Sequence, residues 1–79
     1  MSPTVFKYKN YRFMFFSREE KKTHIHVHSP DGEAKFWIDP EVILVRNYGF
    51  KDKQIKEIQK VIEANKNDIK KAWNKHFRS

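Results

Sequence analysis

The 79-residue chain carries 17 Lys+Arg against 10 Asp+Glu, a formal charge of +7, and draws its apolar content largely from seven Phe, three Tyr and two Trp. That length excludes a large enzyme with a deep pocket and predicts one small domain over residues 1–79. With no cysteine and only two glycines, disulfides, thiolate metal centres and glycine-rich phosphate loops are excluded as well.

Residues 4–8 read as a short strand and residues 11–17 as a longer one, joined by Lys9-Asn10, a connection of tight-hairpin length. In the second strand Tyr11, Phe13 and Phe15 alternate with Arg12, Met14 and Phe16, which predicts a central strand or one with a covered face. Residues 17–23 form a charged stretch read as an exposed loop.

The segment from His24 to Trp37 is the most informative. His24, His26 and His28 alternate with Ile25 and Val27, and a strand has a side-chain period of two, so the three histidines share one face. Pro30-Asp31-Gly32 supplies a turn, and the return strand alternates Ala34, Phe36 and Ile38 with Glu33, Lys35 and Trp37. With the turn at Ser29 to Gly32, antiparallel pairing sets His28 opposite Glu33, His26 opposite Lys35 and His24 opposite Trp37. That register gathers the apolar rows on one face, whereas a one-residue slip would bury the histidines.

Asp39-Pro40 ends the hairpin, residues 42–46 read as a last, edge strand, and Tyr48-Gly49 breaks it. From Asp52 the period becomes helical: Ile55, Ile58, Ile62, Ile69 and Trp73 fall on one stripe, with most lysines off it. Asn65-Lys66-Asn67-Asp68 has poor helix propensity, so two readings stand there. One is a single helix of about 25 residues, slightly favoured because the stripe keeps phase; the other is two helices with Asn67 or Asp68 capping the second. The predicted fold class is α+β: an antiparallel meander of four to five strands with a C-terminal helix or helical hairpin packed on its apolar face.

The opposite face, expected to be open, collects imidazole, amine, carboxylate and indole. His-x-His-x-His suggests a metal site, but ligands must converge to about 2 Å and histidines on alternate residues of one strand stand some 6–7 Å apart at Cα. No metal and no cofactor is therefore expected. Free imidazole titrates near neutrality, so His24 or His26 could exchange a proton with an RNA 2′-hydroxyl, with Glu33 and Lys35 beside them. Binding without chemistry would use Arg12 and Lys35 on phosphates and Trp37, Tyr11 or Phe16 on bases, or Trp37 as an anchor for a protein partner. The lysine-bearing helix offers a further phosphate-facing surface, and the plain alternative for it is a solvated helix face. The N-terminal residues lack the apolar run of a secretory leader, with Lys7 and Lys9 breaking it, and no segment approaches a membrane span. The expectation is a soluble, cytoplasmic protein.

Thr4-Val5 leading to Tyr11-Arg12-Phe13 and Phe15-Phe16-Ser17 opens a pattern that continues through His24-Ile25-His26-Val27 and Gly32-Glu33-Ala34-Lys35-Phe36-Trp37-Ile38-Asp39-Pro40. Asn47-Tyr48-Gly49-Phe50 and Ala72-Trp73-Asn74 complete it. Over nearly its whole length the chain thus resembles a small bacterial and archaeal family known as domain of unknown function 4160. Genes of that family often stand beside a small gene of the domain of unknown function 2442 family, so the resemblance implies a two-gene, toxin–antitoxin-like module. Its pattern includes His24, His26, Glu33, Lys35 and Trp37, while His28 departs from it and further weakens a three-histidine metal site. The leading expectation is a small basic component of such a module. It would bind the neighbouring gene's product, RNA or DNA through the sheet face bearing Arg12, His24, His26, Lys35 and Trp37. The alternatives are a metal-independent ribonuclease using His24 and His26, in which replacing both would abolish cleavage, and a non-catalytic interaction adaptor.

Overall fold

The structure, a computed structural model, describes residues 4–15 and 22–77. Five strands run in chain order as an antiparallel meander: β1 (Thr4–Tyr8), β2 (Tyr11–Met14), β3 (His24–Ser29), β4 (Gly32–Trp37) and β5 (Ile43–Tyr48). Helices α1 (Asp52–Ala64) and α2 (Lys66–Phe77) follow. The predicted α+β class and its helix-on-sheet arrangement are what the molecule has, with five strands. Phe16, Ser17 and most of the charged stretch after them lie outside the described residues. No helix among the described residues is long and apolar enough to cross a membrane.

The sheet is held in register by its alternation. β3 and β4 pair His24 with Trp37, His26 with Lys35 and His28 with Glu33, the pairing that the turn chemistry dictates. The apolar rows then fall together. Phe13, Phe15, Ile25, Val27, Ala34, Phe36 and Ile38 form one buried cluster with Ile55, Ile58, Ile62, Ile69 and Trp73 of the helices. Tyr11 belongs to this cluster, on the same side as Phe13, so it is a core residue and not a base-stacking platform. Its hydroxyl points at Glu57 Oε1, 3.4 Å away.

The helical segment breaks at one residue, which corrects the continuous reading. Asn65 ends α1 with φ −112° and ψ 16°. Its amide still donates to the Val61 carbonyl at 3.1 Å, and its own carbonyl accepts from the Ile69 amide at 2.9 Å. The ladder thus crosses the break nearly intact, and the apolar stripe stays in phase. Asn65 does this rather than Asn67 or Asp68, because its side-chain amide also donates to the Val61 carbonyl at 2.8 Å and holds the end of α1 locally.

Four side-chain links position the helices on the sheet. Gln54 Oε1 accepts from the Lys51 amide at 2.9 Å, satisfying a donor at the start of α1, and Gln54 Nε2 donates to Asp31 Oδ2 in the β3–β4 turn at 3.1 Å. Lys66 Nζ donates to the Pro40 carbonyl at 2.8 Å, and Lys70 pairs with Asp39 at 3.3 Å. At the β1–β2 turn, where Lys9 takes a left-handed φ of 55°, Lys9 Nζ pairs with Glu57 on α1.

The Lys9–Glu57 pair has a stated pH signature. The Lys9 hydrogen bond and charge hold the Glu57 carboxyl below its ordinary range, and the same hydrogen bond and charge raise Lys9 above its own. A depressed carboxylate contributes above its unfolded pKa, about 4.3, and that contribution fades as pH falls through the lowered folded value. Lys9, being raised, contributes below its unfolded value and loses that contribution at strongly alkaline pH. A Glu57→Gln variant should therefore be slightly less stable than its parent near neutrality and converge with it in acid. Thermal unfolding scans across acid pH check this, and a gap that widens in acid would contradict it.

Candidate interaction surface

Antiparallel register turns the non-core face into cross-strand rows. One row crosses all five strands as Lys7, Arg12, His28, Glu33 and Tyr48. A second runs Met14, His26, Lys35, Arg46, and a third His24, Trp37, Ile43. The structure therefore brings all the sequence-predicted residues of β2, β3 and β4 onto one face: Arg12, His24, His26, Glu33, Lys35 and Trp37.

It does not leave them all open. His24 is only 2% exposed and Lys35 6%, whereas Arg12, His28 and Glu33 are exposed and His26 and Trp37 half-buried. His24 is enclosed because Trp73 of α2 reaches the end of the sheet. Its ring stands 4.9 Å from Trp73, 5.3 Å from His26 and 6.0 Å from Trp37, edge to face in each case. Its Nδ1 lies 2.8 Å from the Lys22 carbonyl. A carbonyl only accepts, so the proton of that contact sits on Nδ1. The expectation of a wholly open histidine face is corrected at these two residues: His24 is packed among rings, and Lys35 lays its stem along the sheet with its ammonium 4.8 Å from the Trp37 ring centre. Lys22 approaches the same ring at 4.9 Å.

A general acid or base must reach the proton it moves, and a side chain this enclosed does not present itself to a substrate. His26, its neighbour, meets it edge to face rather than converging with it on a common point. Glu33 is turned to His28 in an exposed contact of 3.6 Å. Among the described residues no group of three His, Cys, Asp or Glu is placed to hold a metal ion. Arg12 is exposed, its Nε donating to Thr4 Oγ1 at 3.1 Å, and with Lys7, Lys9 and His28 it edges a shallow groove of about 340 Å³ beside the turns.

Two features of the surface were legible in the sequence only in outline, as an edge strand over residues 42–46 and a lysine-bearing helix. The first is β5, in which every residue is exposed. Ile43, Leu44, Val45 and Tyr48 make up most of the exposed large hydrophobic side chains among the described residues, and Tyr48 reaches 62%. Leu44, opposite Phe36, points to the core side; Ile43, Arg46 and Tyr48 point to the other; Val45 sits at a bulge and has no cross-strand partner. An apolar run on a strand reads as buried until the reach of the helices is known. The second is a groove of about 650 Å³ beside α1, lined by Tyr8, Lys9, Lys53, Lys56 and Lys60 among others. In the sequence its lysines read as a phosphate-facing surface with a solvated helix face as the plain alternative, and the wall beside them left no signal.

Neither the curated proteins nor the solved structures contain a match to the chain. The family comparison is positive: a family model aligns with residues 10–74, from the β1–β2 turn through the His24–Trp37 hairpin to the Trp73 that encloses it. The match takes in most of the chain and both sides of the candidate surface, and by it the protein belongs to the family described as Domain of unknown function (DUF4160).

Proposed function

We propose that this protein is the basic, non-catalytic member of a two-protein, toxin–antitoxin-like module, and that it holds an acidic protein partner along β5 and the adjoining Trp37 row. One observation carries this reading: β5 is an edge strand whose every residue is exposed, with Ile43, Leu44, Val45 and Tyr48 uncovered. Edge strands in soluble proteins are ordinarily short, charged or covered, because unpaired main-chain groups recruit other strands. An apolar edge suits strand addition, in which main-chain hydrogen bonds supply affinity and alternate side chains supply selectivity. The bulge leaves Val45 alone without a partner on β4, with regular pairing on either side of it, so its side chain is available for docking.

Charge supports the sign of the partner. Arg46 is exposed on β5 opposite Lys35 and makes no ion pair among the described residues. A carboxylate brought in by a partner strand would pair with Arg46, and a net charge of +7 would speed the encounter. The enclosure of His24 favours binding over histidine catalysis in this reading.

Co-expression with the neighbouring gene's product tests it. The two should co-purify, and Ile43→Glu with Val45→Glu should weaken the complex by at least about tenfold, while the isolated variant keeps its stability to within about 0.5 kcal/mol as expected at exposed positions. Arg46→Glu should weaken it too. A complex indifferent to all three substitutions would overturn the β5 assignment. Expression of the chain alone with loss of cellular RNA that depends on His24 and His26 would return the ribonuclease reading.

A further inference from the structure

Lys53, Lys56 and Lys60 stand at i, i+3 and i+7 on α1, so they share a face turned away from Ile55, Ile58 and Ile62. Such a face is usually bare to water. Here it is walled, because the β1–β2 turn rises beside it. Lys9 is drawn onto Glu57, and Tyr8, 38% exposed, stands at the lip, enclosing the groove of about 650 Å³. Glu57 is the one carboxylate in the lining, and it is already engaged by Lys9 Nζ and the Tyr11 hydroxyl, with Lys53 acting on it only as the weakest of its neighbours. The groove is left with a surplus of positive charge beside a partly exposed aromatic ring, over one face of which Lys9 Nζ stands 5.5 Å from the centroid.

We propose that this groove binds a single-stranded nucleic acid, its phosphates along Lys53, Lys56 and Lys60 and a base against Tyr8. The lysines span roughly 10 Å along the helix axis, a regular ladder suited to a regularly charged backbone. Lysine meets phosphate as a mobile point charge and needs no fixed fork geometry. Tyr8 decides between single strand and duplex: its ring can take a base face only when that face is unstacked from its neighbours. It also sets nucleic acid apart from an acidic peptide, whose carboxylates would satisfy the lysines and leave the ring idle. The volume is that of a small-ligand site, enough for a nucleotide unit with the strand running out at either end. This surface is separate from β5, so the fate of the partner-binding reading does not decide it.

The test is fluorescence anisotropy with a labelled dodecameric oligouridylate and the full chain, titrated over a range of sodium chloride. The parent should bind at low salt. Lys53→Gln/Lys56→Gln/Lys60→Gln should weaken binding at least about tenfold and flatten the log–log salt dependence by about two, three single-strand phosphate contacts having been removed. Tyr8→Ala should weaken it about tenfold with the salt slope unchanged, since stacking releases no counterions. The control Lys70→Gln/Lys71→Gln/Lys75→Gln removes the same charge from α2 and should alter binding by less than about twofold. All variants change exposed or partly exposed side chains, and unaltered thermal midpoints confirm that each is folded. Equal losses in the two lysine triples would reduce the effect to net charge and overturn the site. Polyglutamate displacing the oligonucleotide as well per charge, or a Tyr8→Ala variant that binds like the parent, would replace nucleic acid with an acidic polypeptide. No binding by the parent at low salt would end the proposal.

Discussion

Phe36→Ala is expected to unfold a large fraction of the molecules. Phe36 is fully buried near the end of β4, opposite Ile25 on one side and Leu44 on the other, and it closes the cluster under both helices. Truncating a buried phenylalanine costs about 3–5 kcal/mol, the lost transfer energy being joined by the cavity left behind. A domain of this size holds only about 4–12 kcal/mol in total. The cavity cannot collapse easily here, because Phe36 is anchored in a sheet whose neighbouring strands fix the backbone on both sides. Urea unfolding should show a midpoint shifted far down with the slope retained, and Phe36→Leu should recover much of the loss. A cost below about 1 kcal/mol would mean that the core is not organised around this ring.

Gly32→Ala should be nearly as damaging for a different reason. A Cβ on Gly32 would lie 2.2 Å from the Tyr48 carbonyl oxygen and 3.0 Å from the Phe50 amide nitrogen, both backbone atoms. That backbone cannot step aside. Asn47 brackets it, its side-chain amide donating to the Phe50 carbonyl at 2.9 Å and its side-chain oxygen accepting from the Phe50 amide at 3.1 Å. Gly49 next to it holds a φ of +97°, with its own Cβ position blocked by the Asp31 carbonyl at 2.5 Å. The two turns are in backbone contact, so one methyl group has to separate them. The expected cost is about 2–3 kcal/mol, the upper part of the range for overpacking, read by the same denaturation. The exposed neighbour Glu33→Ala should cost no more than about 0.5 kcal/mol. Equal costs at the two positions would contradict the close approach.

What the sequence made legible was periodicity. The His24–Trp37 hairpin could be registered because a strict alternation and a Pro-Asp-Gly turn leave one pairing that puts Ile25, Val27, Ala34, Phe36 and Ile38 together. The helical stripe was legible for the same reason, since Ile55, Ile58, Ile62, Ile69 and Trp73 keep one phase. Contacts between distant parts of the chain were not. His24 lies on the predicted face, yet it is enclosed by Trp73, which alternation within β3 cannot foretell. Ile43, Leu44 and Val45 have the composition of buried strand residues, and they are bare because the helices do not cover β5. Tyr8 and Lys9 read as the end of a strand and a turn, and only their apposition to α1 makes them the wall of a groove. Asn65 was missed because a one-residue departure from helical geometry leaves no mark on the hydrophobic phase.

The order of the meander has a consequence for traffic on this small molecule. β1 and β5 are its two outer strands, separated by four inter-strand spacings, roughly 19 Å. That exceeds the screening distance of physiological salt, about 8 Å, so a ligand's charge at one margin is scarcely felt at the other. The groove beside Tyr8 nevertheless runs along α1 to Lys53 and Gln54, and Gln54 donates to Asp31, whose carbonyl lies against Gly49 at the end of β5. Occupants at Tyr8 and at Ile43 would thus be independent, whereas at Lys53 and Tyr48 they would be neighbours, and titrating one against the other reads that coupling.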